Sequence, residues 1–458
     1  MNKLLMLICA LALLAGPAAA ATWVLQADGS GDFPTLWAAV LGSAPGDVIE
    51  LADGVFTGDG NRDILLYQPL TLRSQSGDPA SCVIDCDGAA GDPHRALHIA
   101  AGHTGTSIEG ITFRNGYLEG SGAGDGYGAA VFCEQDVDVS FSNCRFEQCH
   151  SSSRGGAVGY DQCGTLTLED CAFVGNVSAL SGAGVGGSGA GMVVRRCSFQ
   201  GNQAGDTDAA ALMLWDWLAA QHYLVEDCDF VDNGGAGLYV IGTADVVGCR
   251  FAGNSRGGVD ILVNAYHIML VQDCVFEGNT NGAALRIWHL TGAHAEDLVT
   301  VRRCLFAGNA GGDGTLFAVG VPSHIHDLTF WGNDAPHALK LHGPVSSDYG
   351  VGSLVERVIV AGGSSTEALG CYASATYAVH CTDFHGGWSG CAADWLGNDG
   401  NIDADPMFCD PEAGEFTLHA SSPCLGVNND CGTMGLYDLG CGTTGVEDAS
   451  FGAVKALY

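Results

Sequence analysis

The chain has 458 residues, of which 69 are Gly and only 15% are charged against 47% hydrophobic, and its formal net charge is −35. A conventional α/β enzyme carries more charge and less glycine. So acidic a chain repels phosphate backbones and anionic lipid, which argues against nucleic acid and membrane surfaces as partners.

In chain order, Met1 to about Ala20 reads as a secretory signal. Lys3 supplies the charged start, Leu4 to Leu14 the apolar stretch, and Ala18-Ala19-Ala20 the small-residue cleavage site. That stretch is too short to span a bilayer, and no later segment supplies a transmembrane span. Cys9 follows Ile8 inside it, which does not suit a lipoprotein cleavage site. The expected mature chain keeps 16 Lys+Arg and 52 Asp+Glu, a net charge of −36. Next, Asp28 to Gly31 forms a turn, and Pro34 precedes a short amphipathic helix from Leu36 to Ala44. This helix is expected to cap the open end of a solenoid.

Beyond the helix the chain repeats itself. Cys144-Arg-Phe146, Cys171-Ala-Phe173, Cys197-Ser-Phe199, Cys228-Asp-Phe230, Cys249-Arg-Phe251, Cys274-Val-Phe276 and Cys304-Leu-Phe306 are one unit at steps of 27, 26, 31, 21, 25 and 30 residues. Three residues after six of these Phe comes Asn: Asn176, Asn202, Asn233, Asn254, Asn279 and Asn309. Ile111-Thr-Phe113 begins the pattern, and Leu328-Thr-Phe330 with Asn333 continues it without Cys. Each unit then runs through small residues into a second apolar stretch, as in Gly155-Gly-Ala-Val158 and Gly282-Ala-Ala-Leu285. Cys and Phe alternate at strand period two and point inward. Stacked Asn residues are expected to sit at a turn, to tolerate left-handed backbone and to bond their counterparts above and below. The fold class is therefore all-β, a right-handed parallel β-helix over residues 21–445, with a short amino-terminal capping helix and a tail at 446–458.

The C-x-F-x-G-N units followed by G-G-A-[VIL] resemble the pectin-lyase-like right-handed β-helix family. They are also similar to the repeats of polymorphic outer-membrane proteins. The resemblance is clear over roughly residues 100–345 and specifies a scaffold, since lyases, hydrolases, esterases and adhesins share it. Ala27 to Thr35 resembles the opening of pectin methylesterases. The esterase signature is absent, because Asp229-Phe230 and Asp383-Phe384 lack its context.

The ladder from Cys144 to Cys304 reads as a buried column of thiols, whose parallel side chains oppose bonding. Cys82 and Cys86, with Cys371, Cys381, Cys391, Cys409, Cys424, Cys431 and Cys441, are the disulfide candidates of an exported protein.

Taking Leu285/Ile287 and their equivalents as inward leaves Met213, Tyr239, Asp260, Arg286 and Lys340 as an outward column, with Trp215, Trp288 and His342 beside it. Lys340 is the sole Lys between the signal and Lys455. Asp260, Arg286 and Lys340 offer a carboxylate and basic proton acceptors for a polysaccharide lyase or glycoside hydrolase. Trp215, Tyr239, Trp288 and His342 offer sugar-stacking surface. The competing reading is a satisfied surface, with Asp260 paired to Arg286 one coil away. Asp399, Asn401, Asp403 and Asp405 have calcium-loop spacing, but Ala404 stands where an EF-hand requires Gly, so a plain turn competes. No cofactor is expected, with calcium the one candidate ion. The expectation is an extracellular or cell-surface monomer that binds polysaccharide or a cell-envelope component without catalysis, with a lyase or hydrolase as the alternative.

Overall fold

A computed structural model describes residues 20–442 apart from 122, 207–209, 217–221, 264–267, 290–297, 343–351, 366 and 372–376. The expected signal and the tail at 446–458 lie outside the described residues. The chain divides into two compact units, Met1–Tyr239 and Val240–Tyr458. Both are built from parallel β-helix coils.

In the first unit, Thr22–Leu25 pairs with Val48–Leu51 and that strand with Thr71–Ser74, parallel and in register. The same stacking carries Asp138–Ser142 onto Thr165–Glu169 and then Gly191–Arg195. Alternation explains these strands: Leu166 and Leu168 are buried while Thr167 and Glu169 between and after them are not. A second set, Ile64–Leu66, Leu97–Ile99, Val131–Cys133, Val158–Asp161 and Val185–Ser188, stacks the same way. Phe113, Phe146, Phe173, Phe199 and Phe230 form a buried stack with successive ring centroids 5.3, 4.8, 4.7 and 4.8 Å apart.

The Asn residues make the expected ladder. The Asn176 backbone N and Nδ2 both donate to Asn202 Oδ1, at 3.0 and 3.1 Å. Asn202 addresses Asn233 in the same way, at 2.9 and 3.1 Å. Each Nδ2 also donates to a Phe carbonyl, as Asn202 does to Phe173 at 2.9 Å. These Asn residues do not themselves take left-handed backbone. That conformation falls on the residue before each, Gly175 (φ 61°), Gly201 (φ 63°) and Asp232 (φ 53°). It recurs on the residue before each ladder Cys, as in Asp170 (φ 54°), Arg196 (φ 49°) and Asp227 (φ 53°). The corner is turned by those residues, which leaves the Asn side chain to satisfy the backbone that the corner exposes.

The amino-terminal helix is present as Leu36–Gly42, with Thr35 Oγ1 accepting from Ala38 N at 3.2 Å and Leu36, Ala39 and Val40 buried. It stops short of Ala44, where Pro45 disfavours further helix. Gln68 Nε2 closes its end by donating to the carbonyls of Val40 and Ser43.

The second unit repeats the scheme. Phe251, Phe276, Phe306 and Phe330 stack at 5.2, 4.7 and 4.6 Å. Asn254, Asn279, Asn309 and Asn333 continue amide to amide. Its carboxyl end is different, with strands Phe408–Asp410, Glu415–His419 and Leu439–Cys441 around a core of Ile359, Leu418, Cys424, Leu425 and Met434.

The cysteines sort by region. Disulfides join Cys371 to Cys391, Cys381 to Cys431 and Cys409 to Cys441. Cys424, expected among them, is a buried thiol that donates to Asp383 Oδ2 at 3.1 Å. Cys82 and Cys86 are also buried and unbonded, because they lie on coil positions facing the interior rather than each other. The ladder from Cys144 to Cys304 consists of buried thiols. Burial raises the Cys171 thiol well above its usual value, so it is not a thiolate at neutral pH. Asp383 is fully buried, accepts from Ala404 N at 3.1 Å, and is pushed by burial up to about 6.

Candidate functional site

In the second unit the outward column is as expected, with one addition. Asp260 lies beside Arg286, Arg286 beside Phe317, and Phe317 beside Lys340. Phe317 was hidden by the glycine-rich Gly311-Gly-Asp-Gly314, which blurs the start of its strand. Asp260 and Lys340 are three rungs apart, about 14 Å at the usual strand spacing. Arg286 Nε donates to Asp260 Oδ1 at 2.9 Å and its Nη2 reaches Oδ2. Trp288 Nε1 also donates to Asp260 Oδ1, at 3.0 Å, and the Arg286 guanidinium lies 5.4 Å from the Trp288 ring centroid. Lys340 Nζ stands 3.4 Å from Asp313 and 5.6 Å from the Phe317 ring centroid. The carboxylate and both cations are thus engaged with side chains on the same surface. The His342 backbone pairs with Val319, while its side chain lies outside what is described.

The aromatic platform expected in the first unit is not open. Tyr239 is buried, at 4% exposure. The face of Trp215 is covered by the Arg154 guanidinium, 4.1 Å from the ring centroid. Alternation placed Tyr239 outward, but an outward residue on a covered sheet is still buried.

Of the four residues at calcium-loop spacing, Asp405 serves a turn and the other three contact residues between 379 and 386. Asn401 is buried, its Oδ1 accepting from Thr382 N at 3.1 Å and its Nδ2 donating to the Val379 carbonyl at 2.8 Å. Asp403 accepts from Gly386 N and Asp405 from Met407 N, both at 2.9 Å. Asp399 lies 3.8 Å from His380. Among the described residues no group of three or more His, Cys, Asp or Glu side chains stands together to hold a metal.

A further recess lies elsewhere, on the outer face of the first unit's second set of strands. It is an open cleft of about 820 Å³, within the usual range of ligand sites. Asp63, His98, Glu119, Asp125 and Glu134 line it beside apolar Leu65, Pro93 and Leu118. A smaller recess of about 250 Å³ shares Gly124 and Glu134 and adds Asp161.

The sequence explains the walls. His98 is the outward residue of Leu97–Ile99, and Glu134 directly succeeds Val131–Cys133 on the next coil. His98 Nε2 sits 2.8 Å from Glu134 Oε1, and Ala101 N donates to Glu134 Oε2 at 2.9 Å. Asp63 holds His94 at 2.6 Å and accepts from Arg95 N at 3.0 Å. The opposite wall is made by residues 118–120 and 124–128, the latter anchored by buried Arg95. Its Nε donates to the Gly128 carbonyl at 2.9 Å and its Nη atoms to those of Gly124 and Tyr127. Its guanidinium carbon lies 5.3 Å from the Phe132 ring centroid, and burial pulls its pKa down to about 10. Gly159 permits the close approach, since a Cβ there would stand 2.4 Å from Gly128 N. Sequence reasoning missed this site because these coils lack the Cys-x-Phe mark. The signal was the match of Leu97-His98-Ile99 to Leu285-Arg286-Ile287.

Residues 129–294 match the family model described as the right handed beta helix region. No curated protein matches the chain. Among solved structures, the chain is similar to the catalytic domain of a variant GH87 alpha-1,3-glucanase in complex with nigerose. That likeness has 14% identity and a TM-score of 0.52, covering 81% of this chain and 70% of that one. It is also similar to a rhamnogalacturonan lyase, at 9% identity and TM-score 0.40, covering 85% and 90%. A mannuronic acid specific polysaccharide family 6 lyase from human gut microbiota gives 12% identity and TM-score 0.39, covering 78% and 91%. The fold is therefore the right-handed parallel β-helix. The likeness to outer-membrane-protein repeats gains no support from these comparisons. At these identities the likeness is one of fold. Among the described residues no helix is long and apolar enough to cross a membrane.

Proposed function

We propose that this is an exported, monomeric β-helix protein that binds a polysaccharide of the surroundings or the cell envelope in the cleft of its first unit. The observation that carries the reading is the cleft itself, an open recess of about 820 Å³ crossing stacked coils. His98 sits on a paired strand, Asp63 and Glu134 directly flank two others, and the apolar patches suit the CH faces of sugar rings. Three disulfides suit an oxidising compartment. The catalytic alternative on Asp260, Arg286 and Lys340 has less support, because a lyase needs a basic group at liberty to take a proton, and these are engaged in ion pairs.

Glycan-array binding followed by calorimetry tests the reading. Ala100→Trp, which fills the cleft, is expected to abolish binding, and Arg286→Ala to preserve it. Native binding in Ala100→Trp would remove the cleft from consideration, and loss in Arg286→Ala with Trp288→Ala would move the site to the second unit. Release of reducing ends from the bound glycan would add hydrolysis to binding.

A further inference from the structure

We infer that the cleft selects a cationic glycan, an oligosaccharide of amino sugars carrying free ammonium groups. This rests on the cleft reading above and goes beyond it in naming the ligand's charge. Two adjoining recesses, of about 820 and 250 Å³, share Gly124 and Glu134, so the site is elongated and suits several linked rings rather than one compact ligand. Asp63, Glu119, Asp125 and Glu134 line the larger recess, and Glu134 and Asp161 the smaller. Against these five carboxylates stands one permanent cation, Arg95. It is buried, and its donors are turned onto the carbonyls of Gly124, Tyr127 and Gly128. The guanidinium therefore builds the wall and presents no fork to a carboxylate ligand.

A uronate chain would bring like charge to this surface within a protein that is already strongly acidic. An ammonium-bearing chain would find carboxylates in both recesses, with Asp63 and Glu134 sharing their charge with His94 and His98. The carboxylates do not converge as metal ligands do: no metal-holding group of three occurs among the described residues. A single divalent ion does not account for them. Leu65, Pro93 and Leu118 supply the apolar contact that a sugar ring uses and an ion does not.

The test is calorimetric titration of the full protein at a pH of about 6, above the ordinary carboxylate range. Three probes are compared: a glucosamine hexamer, its fully N-acetylated counterpart and an oligogalacturonate. The glucosamine hexamer is expected to bind about tenfold or more tightly than the acetylated one, the oligogalacturonate not at all, and added salt to erase the preference. Glu119→Gln with Asp125→Asn is expected to weaken the amine ligand about fivefold to tenfold and leave the acetylated one unchanged. Equal affinity for the two hexamers, insensitive to that double variant, would overturn the cationic inference while leaving the cleft as a saccharide site. Failure of all three probes and of a wider glycan panel would overturn the cleft reading itself. Tight binding of a Lys-rich peptide with none of the glucosamine hexamer would overturn the inference in favour of a basic polypeptide.

Discussion

In Met1–Tyr239 the outer face of the second set of strands is hollow, whereas in Val240–Tyr458 the equivalent register positions are filled by partners of opposite charge. The contrast turns on where the guanidinium goes. Arg286 lies along the face and closes onto Asp260. Arg95 dives under a loop and binds three carbonyls, so the nearby carboxylates stay at the rim. The first unit's face thus pairs Asp63 and Glu134 with the titratable His94 and His98, whereas the second pairs Asp260 and Asp313 with permanent cations.

The largest expected effect tests that division. Arg95→Ala leaves three carbonyls short of donors beneath the loop, and about 4 kcal/mol of destabilisation is expected by urea denaturation, together with loss of cleft binding. Full stability with intact binding would show that the wall stands without its anchor.

A carboxylate enclosed in the core gives the next effect. Asp383 accepts from the Ala404 N–H and the Cys424 thiol, and its pKa is raised by burial to about 6. Since the folded state holds this proton more tightly than the unfolded one, the contribution is fully present below about pH 4. It is lost as pH rises through about 6, a change of roughly 3 kcal/mol. Asp383→Asn is expected to remove that slope from denaturation midpoints measured between about pH 4 and 7; an unaltered slope would place the titration elsewhere.

The paired face gives the smallest effects, and they should differ. Arg286→Ala leaves Asp260, 13% exposed, without its guanidinium, and a loss of about 1–2 kcal/mol is expected. Lys340→Ala releases Asp313, 73% exposed, and should cost under about 1 kcal/mol. Equal losses would contradict the burial difference between the two pairs.

The sequence carried the coil plainly. Phe173, Phe199 and Asn202 recur with regular chemistry because every rung presents them to the same neighbours. The corners were not legible, because Asp170, Arg196 and Asp227 share a left-handed backbone and nothing in side-chain type. The outward column of Asp260, Arg286 and Lys340 came from period two, but its pairings depended on Phe317 and Asp313, contributed by a glycine-rich coil. Tyr239 shows the limit of alternation, which assigns a face and says nothing of what covers it. The cleft depended on residues 118–120 and 124–128, the latter held by Arg95 reaching across from another coil.

The Asn ladder has a consequence for how the molecule comes apart. Asn176, Asn202, Asn254, Asn279 and Asn309 each donate from Nδ2 forward to the next amide of the row. Such a row has a head and a tail, and its members polarise one another. An interior rung can leave only by breaking the chain on both sides. Asn202→Ala is therefore expected to free the Asn176 backbone N–H that donates to it, and hydrogen exchange at Asn176 should quicken in that variant.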